Sequence, residues 1–311
     1  MEYIGSLAGH GGHVASVKFV NPFTLVSGAR DKKLIAWDLT KTSSVNPAGV
    51  PVRSMIGHSH FVSSVDVNKE GTHAVSTSWD GRVMIWNLEN GACENKVTIG
   101  NVSKPTALLT VTYDNNGERI LVAGRDNKVT VLTSALTEEA APAFAKAAHA
   151  DWISCIKALP GNNEQFVTVG WDRVAKLVDA TDAQEVINFT GHTGYLNTVA
   201  CAENAPMFAT AGNDGSICIW TVKDNQAMFT YKLQANQEVT GLVFDDVERR
   251  LIAVGDKYVQ VFDLTTFSLV NSFEIPASEE SPKTPRALSV DICGGKLAVG
   301  ASDNKIHVFS L

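Results

Sequence analysis

The segment SGARDKKLIAWDL, Ser27 to Leu39, contains the spacing that decides the fold. In it, Asp31 is followed six residues later by Trp37, at the end of an alternating apolar run. The same spacing, from an Asp to an aromatic or apolar residue, occurs seven times, at Asp31/Trp37, Asp80/Trp86, Asp126/Leu132, Asp172/Val178, Asp214/Trp220, Asp256/Phe262 and Asp303/Phe309. Successive Asp residues lie 49, 46, 46, 42, 42 and 47 positions apart. A period of about 40–45 residues predicts a fold built from one repeated unit.

Gly-His pairs mark where the repeats begin. They occur at Gly9-His10, Gly57-His58 and Gly191-His192, and the fourth repeat keeps His149 alone. Gly-His near the start and Trp-Asp near the end are typical of WD repeats, which form the blades of a β-propeller. Between these marks the sequence alternates as short strands do, for example in HVASVKFV, TLVSGA and LIAWDL. We therefore predict an all-β fold, a seven-bladed WD-repeat β-propeller that makes residues 1–311 one domain.

The two ends of the chain predict how the ring closes. After Phe309 only Ser310 and Leu311 remain, too few for a fourth strand in the last blade. The segment from Glu2 to Leu7 precedes the first Gly-His and belongs to no complete repeat. We expect it to supply the missing strand, so that the N-terminal strand pairs into the last blade and leaves no open edge.

A Ser or Thr stands four residues before the Asp in the four repeats that keep the His: Ser27, Ser76, Thr168 and Thr210. We predict that His, Ser or Thr, Asp and Trp form a buried hydrogen-bond chain in each complete repeat. The complete sets are His10, Ser27, Asp31 and Trp37; His58, Ser76, Asp80 and Trp86; and His192, Thr210, Asp214 and Trp220. Repeat 4 has Val178 in place of the Trp.

Composition and motifs argue against an enzyme. Recurrent Ser, His and Asp do not make the single constellation with an oxyanion hole that an active site needs. The pairs His10/His13 and His58/His60 lack Cys or acidic partners at zinc-site spacing, and nucleotide motifs are absent, so we expect neither metal nor cofactor. No signal segment is apparent, and five Cys residues without a CxxC pair are typical of a reducing, cytoplasmic environment.

The formal net charge of −7 conceals an asymmetry. Residues 1–60 carry six basic and three acidic side chains, whereas residues 61–311 carry 20 basic and 30 acidic ones. Arg30, Lys32 and Lys33 surround Asp31 in the basic part. An acidic protein repels nucleic acid except where a local patch reverses the field, and only the N-terminal sixth offers such a patch.

Several segments go beyond the general WD pattern: ARDKKLIAW (29–37), GHSHFVSSV (57–65), SWDG (78–81), AHADWISCIKAL (148–159), GWD (170–172) and GHTGYLNTV (191–199). Together they resemble the receptor for activated C kinase family, WD-repeat scaffolds of the small ribosomal subunit, along the whole chain. The resemblance implies a cytoplasmic scaffold on the head of the eukaryotic small subunit, one copy per ribosome. It also implies contacts with rRNA and ribosomal proteins through the first blades, and docking of protein kinase C-type kinases and translation factors on others, without membrane insertion.

The resemblance also assigns residues. The family's basic turn in blade 1, which engages rRNA phosphate, matches Arg30-Asp31-Lys32, and Lys33 and Arg53 are expected to extend it. In repeat 3 only Arg125 matches the family's basic pair. Two segments are expected to contact partners: the exposed, extended connection from Thr40 to Val52, and the loop from Pro276 to Pro285.

Two other functions are compatible with a propeller. A free cytosolic signalling adaptor resembling a G-protein β subunit would need a long helix before the first repeat, and no heptad pattern is present there. A propeller hydrolase would need one exceptional blade that carries acids or histidines into the central channel.

Overall fold

The computed structural model describes residues 1–101, 104–136, 144–180, 185–233, 237–277 and 284–311. In these ranges the chain forms β-strands without any helix, and therefore no membrane-crossing one. Seven antiparallel sheets of four strands are the blades of a propeller. The predicted all-β, seven-bladed fold is confirmed.

The strands follow one another from the centre of the ring outward within each blade. The chain begins with β1 (Glu2–Ala8). Blade 1 contains β2 (Val14–Asn21), β3 (Thr24–Ala29), β4 (Lys33–Asp38) and β5 (Val50–Ile56), and blade 2 contains β6 (Val62–Val67), β7 (His73–Ser78), β8 (Arg82–Asn87) and β9 (Cys93–Thr98). A short pair, β10 (Gly100–Asn101) and β11 (Lys104–Pro105), precedes blade 3. Blade 3 contains β12 (Leu108–Tyr113), β13 (Arg119–Gly124), β14 (Lys128–Thr133) and β15 (Phe144–Ala147), and blade 4 contains β16 (Ile153–Ala158), β17 (Gln165–Gly170), β18 (Ala175–Asp179) and β19 (Glu185–Phe189). Blade 5 contains β20 (Leu196–Cys201), β21 (Met207–Gly212), β22 (Ser216–Thr221) and β23 (Ala227–Lys232), blade 6 contains β24 (Gly241–Asp245), β25 (Arg250–Gly255), β26 (Tyr258–Asp263) and β27 (Ser268–Glu274), and blade 7 contains β28 (Ala287–Cys293), β29 (Lys296–Ala301) and β30 (Lys305–Ser310).

Burial explains why the middle strands of a blade are apolar on both faces. In β4 the four consecutive residues 34–37 are buried, because neighbouring blades cover the sheet on each side. A short apolar run bounded by turns is the pattern expected of such a fully buried strand. The outermost strands, such as β27, are mostly exposed. The hydrophobic core is therefore a series of layers between blades.

The N-terminal strand closes the ring. β1 pairs antiparallel with β30, from Glu2 opposite Ser310 to Ala8 opposite Lys305, and so supplies the fourth strand of blade 7. The innermost strand of blade 7, β28, packs against β2 of blade 1. Leu7 is fully buried between these two blades, beside Val308. The predicted closure is confirmed.

Polar side chains tie several blades to the next near the start of the innermost strands. The hydroxyl of Ser63 donates to the carbonyl of Leu108 in blade 3 at 2.8 Å. Equivalent bonds link Ser154 to Leu196, Asn197 to Val239 and Thr240 to Ala287, at 2.6, 2.9 and 2.9 Å. Because these bonds cross between sheets, they restrain the blades relative to one another and make the ring a firm platform.

The strand order also defines two ends of the molecule. One end carries the turns between the second and third strands of each blade and the segments that lead into each first strand. We call this end the upper face. The turns between first and second strands, including Phe23 in blade 1, lie at the opposite, lower face.

Candidate functional site

The complete repeats form three hydrogen-bonded tetrads beneath the upper face. In blade 1, His10 Nδ1 lies 2.9 Å from Asp31 Oδ2 and His10 Nε2 lies 2.8 Å from Ser27 Oγ, which accepts the indole N–H of Trp37 at 2.8 Å. The corresponding distances are 3.0, 2.8 and 2.8 Å in blade 2 and 2.9, 2.9 and 2.8 Å in blade 5. The structure thus brings together His58, Ser76, Asp80 and Trp86, and likewise His192, Thr210, Asp214 and Trp220.

The tetrad carboxylates also hold the backbone of their own turns. Asp80 accepts the amide N–H groups of Ser59 and Arg82 at 2.8 and 2.9 Å. Burial alone would raise the pKa of Asp80, but the hydrogen bonds from His58 and these amides outweigh it and lower the pKa to about 2. The pKa of Asp31 is lowered for the same reasons, with burial again opposing the shift. Each of these carboxylates therefore stays ionised and anchors its turn.

This shift predicts that acid destabilises the propeller. A carboxyl whose pKa is depressed on folding stabilises the protein above its unfolded pKa of about 3.9, and that contribution disappears as the pH falls toward the folded value. We expect Asp80→Asn to lose about 2 kcal/mol of unfolding free energy at pH 7, with the difference from wild type shrinking below about pH 4 and disappearing only below about pH 2. Urea titrations at several pH values measure this, with Glu118→Gln, at an exposed carboxylate, as control. Parallel curves for wild type and Asp80→Asn would contradict the assignment.

Two incomplete repeats have related chains. In blade 4, His149 lies 2.9 Å from both Asp172 oxygens and 2.8 Å from Thr168 Oγ1, with Val178 where the Trp would stand. In blade 7, His307 Nε2 lies 3.0 Å from Asp303 Oδ2. The repeat pattern in the sequence did not identify His307, because this histidine follows its Asp by four residues, on β30, whereas the other histidines precede theirs.

The turn between β3 and β4 presents the predicted basic residues on a fixed backbone. The amide of Arg30 donates to the carbonyl of His13 at 2.9 Å, and the amide of Lys33 donates to Asp31 Oδ1 at 3.1 Å. Lys32 adopts a left-handed conformation with φ of 71°. Gly12 allows the segment before β2 to lie close to the backbone of this turn, since a Cβ at position 12 would be 2.7 Å from the amide nitrogen of Asp31. Asp31 thus faces inward while its neighbours turn outward.

Arg30, Lys32 and Lys33 are exposed, and within the described ranges no ion pair involves any of their side chains. In the part of the chain that the structure describes, the arginines that form ion pairs lie in other blades, as Arg119 does with Asp114 at 2.9 Å. Three unpaired cations on a short rigid turn can bind phosphate, the guanidinium in a bidentate manner and the lysines as point charges. We call Arg30, Lys32 and Lys33 the basic turn.

The structure places Arg53 and Arg125 apart from the basic turn. Arg53 lies on β5, where its Nε and Nη2 donate to the carbonyl of Glu89 at 3.1 and 2.8 Å. Arg125 lies in blade 3 with its guanidinium 4.2 Å from the ring centre of Trp79 and 4.1 Å from that of Trp152. Both faces of that guanidinium are covered, so only its edge can meet a ligand.

The connection between blades 1 and 2 differs from the expected extended linker. The side chain of Asn46 is buried and donates to the carbonyl of Ala8 on β1 at 3.1 Å, and Ala48 is buried as well. The middle of Thr40–Val52 therefore packs on the closing strand, while Val45 remains 69% exposed. The extended, exposed connection predicted there was wrong in this part. Of the segment Pro276–Pro285, residues 278–283 lie outside the described residues.

The central channel, of about 1030 Å³, carries a structural ion cluster. Lys18 Nζ lies 3.6 Å from Asp291 Oδ1 and 3.9 Å from Asp66 Oδ1. The charge of Asp291 raises the pKa of Lys18 against the opposing effect of burial, so the lysine remains charged. Asp291 and Asp66 also accept the amides of Phe19 and Tyr113 in the following blades at 2.7 and 2.9 Å. These groups hold neighbouring blades together.

Comparison with known proteins agrees with this architecture. A profile of the WD domain, G-beta repeat, matches residues 1–38, 49–87 and 183–221. The chain is 30% identical over 319 residues to Cross-pathway control WD-repeat protein 2 of Flammulina velutipes, covering 100% of this chain and 98% of the relative. It is 30% identical over 314 residues to MST50-interacting protein 11 of Pyricularia oryzae, covering 99% and 96%. It is 29% identical over 318 residues to Small ribosomal subunit protein RACK1 of Drosophila melanogaster, covering 100% and 97%.

Proposed function

Because this chain belongs to the receptor for activated C kinase family of WD-repeat proteins, we propose that it is a non-enzymatic scaffold associated with the small ribosomal subunit. The basic turn carries the proposal, since it combines three exposed, unpaired cations with a backbone fixed by a tetrad. Over residues 61–311 the acidic side chains outnumber the basic ones by 30 to 20, so most of the remaining surface repels phosphate. Blade 1 is therefore the part of the surface best suited to hold rRNA phosphates.

The geometry of the turn supports a specific anchoring role. The carboxylate of Asp31 accepts N–H groups from His10, Gly11 and Lys33, so its charge is engaged within the protein. The neighbouring cations are then free to face an anion. Phosphate contacts of this kind set position and supply affinity that falls with salt.

The remaining blades are proposed to bind proteins. By analogy with the family, the partners are protein kinase C-type kinases and translation factors. The chain would then act in translation regulation and signalling in the cytoplasm. It would do so as one ribosome-bound domain that needs neither cofactor nor metal. Arg53 is proposed to add to the rRNA contact from β5. Its guanidinium already donates to Glu89, so we expect it to contribute less than the basic turn does.

Association with purified ribosomal subunits tests this function. We expect the protein to co-sediment with eukaryotic small subunits, and not with large subunits, at moderate salt. The bound fraction should fall steeply between about 50 and 200 mM salt, because released counterions drive phosphate binding. Failure to co-sediment with small subunits even at low salt would contradict the proposal and favour a free signalling adaptor.

A further inference from the structure

A continuous row of aromatic rings and guanidinium groups crosses the upper face from blade 1 to blade 5. Arg30 lies 5.7 Å from the ring centre of Phe61, which lies 5.6 Å from Trp79. Beyond Trp79, the guanidinium of Arg125 bridges to Trp152 at 4.2 and 4.1 Å. Trp152 lies 4.4 Å from Trp171, which stacks on Tyr195 at 4.9 Å with 25° between planes. We call Phe61, Trp79, Arg125, Trp152, Trp171 and Tyr195 the aromatic arc.

The arc arises from two positions that recur in the repeats. One is the residue just before the innermost strand, and the other is the residue just before the turn Asp. The two are linked by a backbone hydrogen bond, from Trp79 N–H to the Phe61 carbonyl at 3.1 Å in blade 2 and from Trp171 N–H to the Trp152 carbonyl at 2.8 Å in blade 4. In blade 1 the same bond joins Arg30 to His13. These backbone bonds therefore fix the two positions relative to each other within each of these blades.

Core packing does not account for the arc. Trp171 and Tyr195 are 36% and 37% exposed, although His149 and His192 beneath them are buried. Arg125 is held between two indoles with its Nε buried and without a hydrogen-bond partner. Within the described residues its guanidinium makes no ion pair. Two exposed, stacked rings that continue into a row of half-buried rings are a candidate binding surface.

Charge identifies the class of ligand. The turns at residues 30–33, 79–82, 125–128 and 171–174 contain seven cationic side chains and four carboxylates. Three of those carboxylates, Asp31, Asp80 and Asp172, are hydrogen-bonded to the histidines of their own blades. The excess of cations comes from the basic turn at one end of the arc, whereas the turns at 79–82, 125–128 and 171–174 contain four cations and three carboxylates, two of which are hydrogen-bonded to histidines. Aromatic faces interleaved with cations along a groove are how proteins bind single-stranded nucleic acid, with bases stacked on rings and phosphates on the cations.

We propose that the aromatic arc binds single-stranded RNA. Unpaired bases stack on the parts of the Trp171 and Tyr195 rings that remain exposed beside their mutual contact, and the edge of Arg125 and the side chain of Arg30 hold the phosphates between them. This binding differs from anchoring on the ribosome, because it requires only an RNA with unpaired bases. The protein should therefore bind such RNA in the absence of ribosomal subunits. It acts alongside the basic turn, which lies at one end of the arc.

Tryptophan fluorescence offers a direct test. Three of the six Trp residues lie in the arc, and the other three are buried in tetrads. We expect a ten-nucleotide oligouridylate RNA to quench the fluorescence of the arc on binding at low salt. Trp171→Ala and Tyr195→Ala should each weaken binding about tenfold, because each removes a stacking partner. Phe23→Ala, at an exposed ring on the lower face, should leave binding unchanged.

Several outcomes would overturn the proposal. The first is the absence of binding by wild type at low salt. The second is binding that leaves the fluorescence unchanged and is lost only when Arg30 and Lys32 are reversed, which shows phosphate attraction without stacking. The third is equally tight binding of poly-glutamate, which would show that the partner is an acidic protein.

A conservative variant distinguishes the loss of stacking from a loss of folding. Trp171→Phe keeps an aromatic ring and should therefore retain most of the RNA binding that Trp171→Ala loses. Co-sedimentation with small subunits should be unchanged in Tyr195→Ala, so this inference and the ribosomal function fail separately.

Discussion

Removing residues 2–7 is expected to abolish the cooperative unfolding transition or to lower the melting temperature by more than about 10 °C. The deletion takes away most of β1, so β30 loses its outer partner and becomes an open edge. It also empties the site of Leu7, which is fully buried between blades 7 and 1. A buried Leu→Ala change alone costs about 2–5 kcal/mol, against a total stability of about 5–15 kcal/mol for a typical domain. Circular dichroism melts measure the effect.

Point variants separate ring closure from general damage. Leu7→Ala should lose about 2–5 kcal/mol, whereas Ile4→Ala, at a side chain 41% exposed on the same strand, should lose less than about 1 kcal/mol. A deletion variant that melts with the wild-type midpoint and cooperativity would show that β1 does not close the ring.

Reversing the basic turn is expected to have the largest effect on function. In Arg30→Asp/Lys32→Glu, two charge-assisted contacts with phosphate become repulsive. Each such contact contributes about 1.5–3 kcal/mol, so affinity for the small subunit should fall by at least about 100-fold. Stability should change by less than about 0.5 kcal/mol, because both side chains are exposed and Lys32→Glu keeps a Cβ at the same left-handed position.

A matched variant controls for net charge. Lys223→Asp/Lys232→Glu makes the same total change in charge at two exposed residues of blade 5. It should bind small subunits as wild type does. Equal losses in the two variants would show that overall charge, and not the basic turn, governs association.

The fold was predictable because one short pattern recurs at every blade. The spacing of six from an Asp to an aromatic or apolar residue, joined in four repeats by a Ser or Thr four residues before the Asp, locates a turn, a second strand and a third strand in each repeat. The pairing of β1 followed from the missing last strand. These features are local in sequence, and each places residues within one blade.

Contacts between blades were not predictable in the same way. The position of Arg125 between Trp79 and Trp152 joins three blades, and spacing within a repeat contains no information about it. Asn46 looked like a linker residue because its neighbours are Pro, Ser and Gly, yet its side chain binds β1. The aromatic arc was missed for this reason, since each of its rings appears in the sequence only as a single residue beside an Asp or a strand.

The salt dependence of small-subunit binding, measured for wild type beside Arg30→Asp/Lys32→Glu, shows whether the basic turn anchors the protein to the ribosome. The logarithm of the association constant falls linearly with the logarithm of salt concentration, with a slope set by the number of neutralised phosphates. If the basic turn is the anchor, the variant should bind weakly and its slope should be smaller by about one to two. An unchanged affinity and slope would contradict the account and place the ribosomal contact, if there is one, on another part of the propeller.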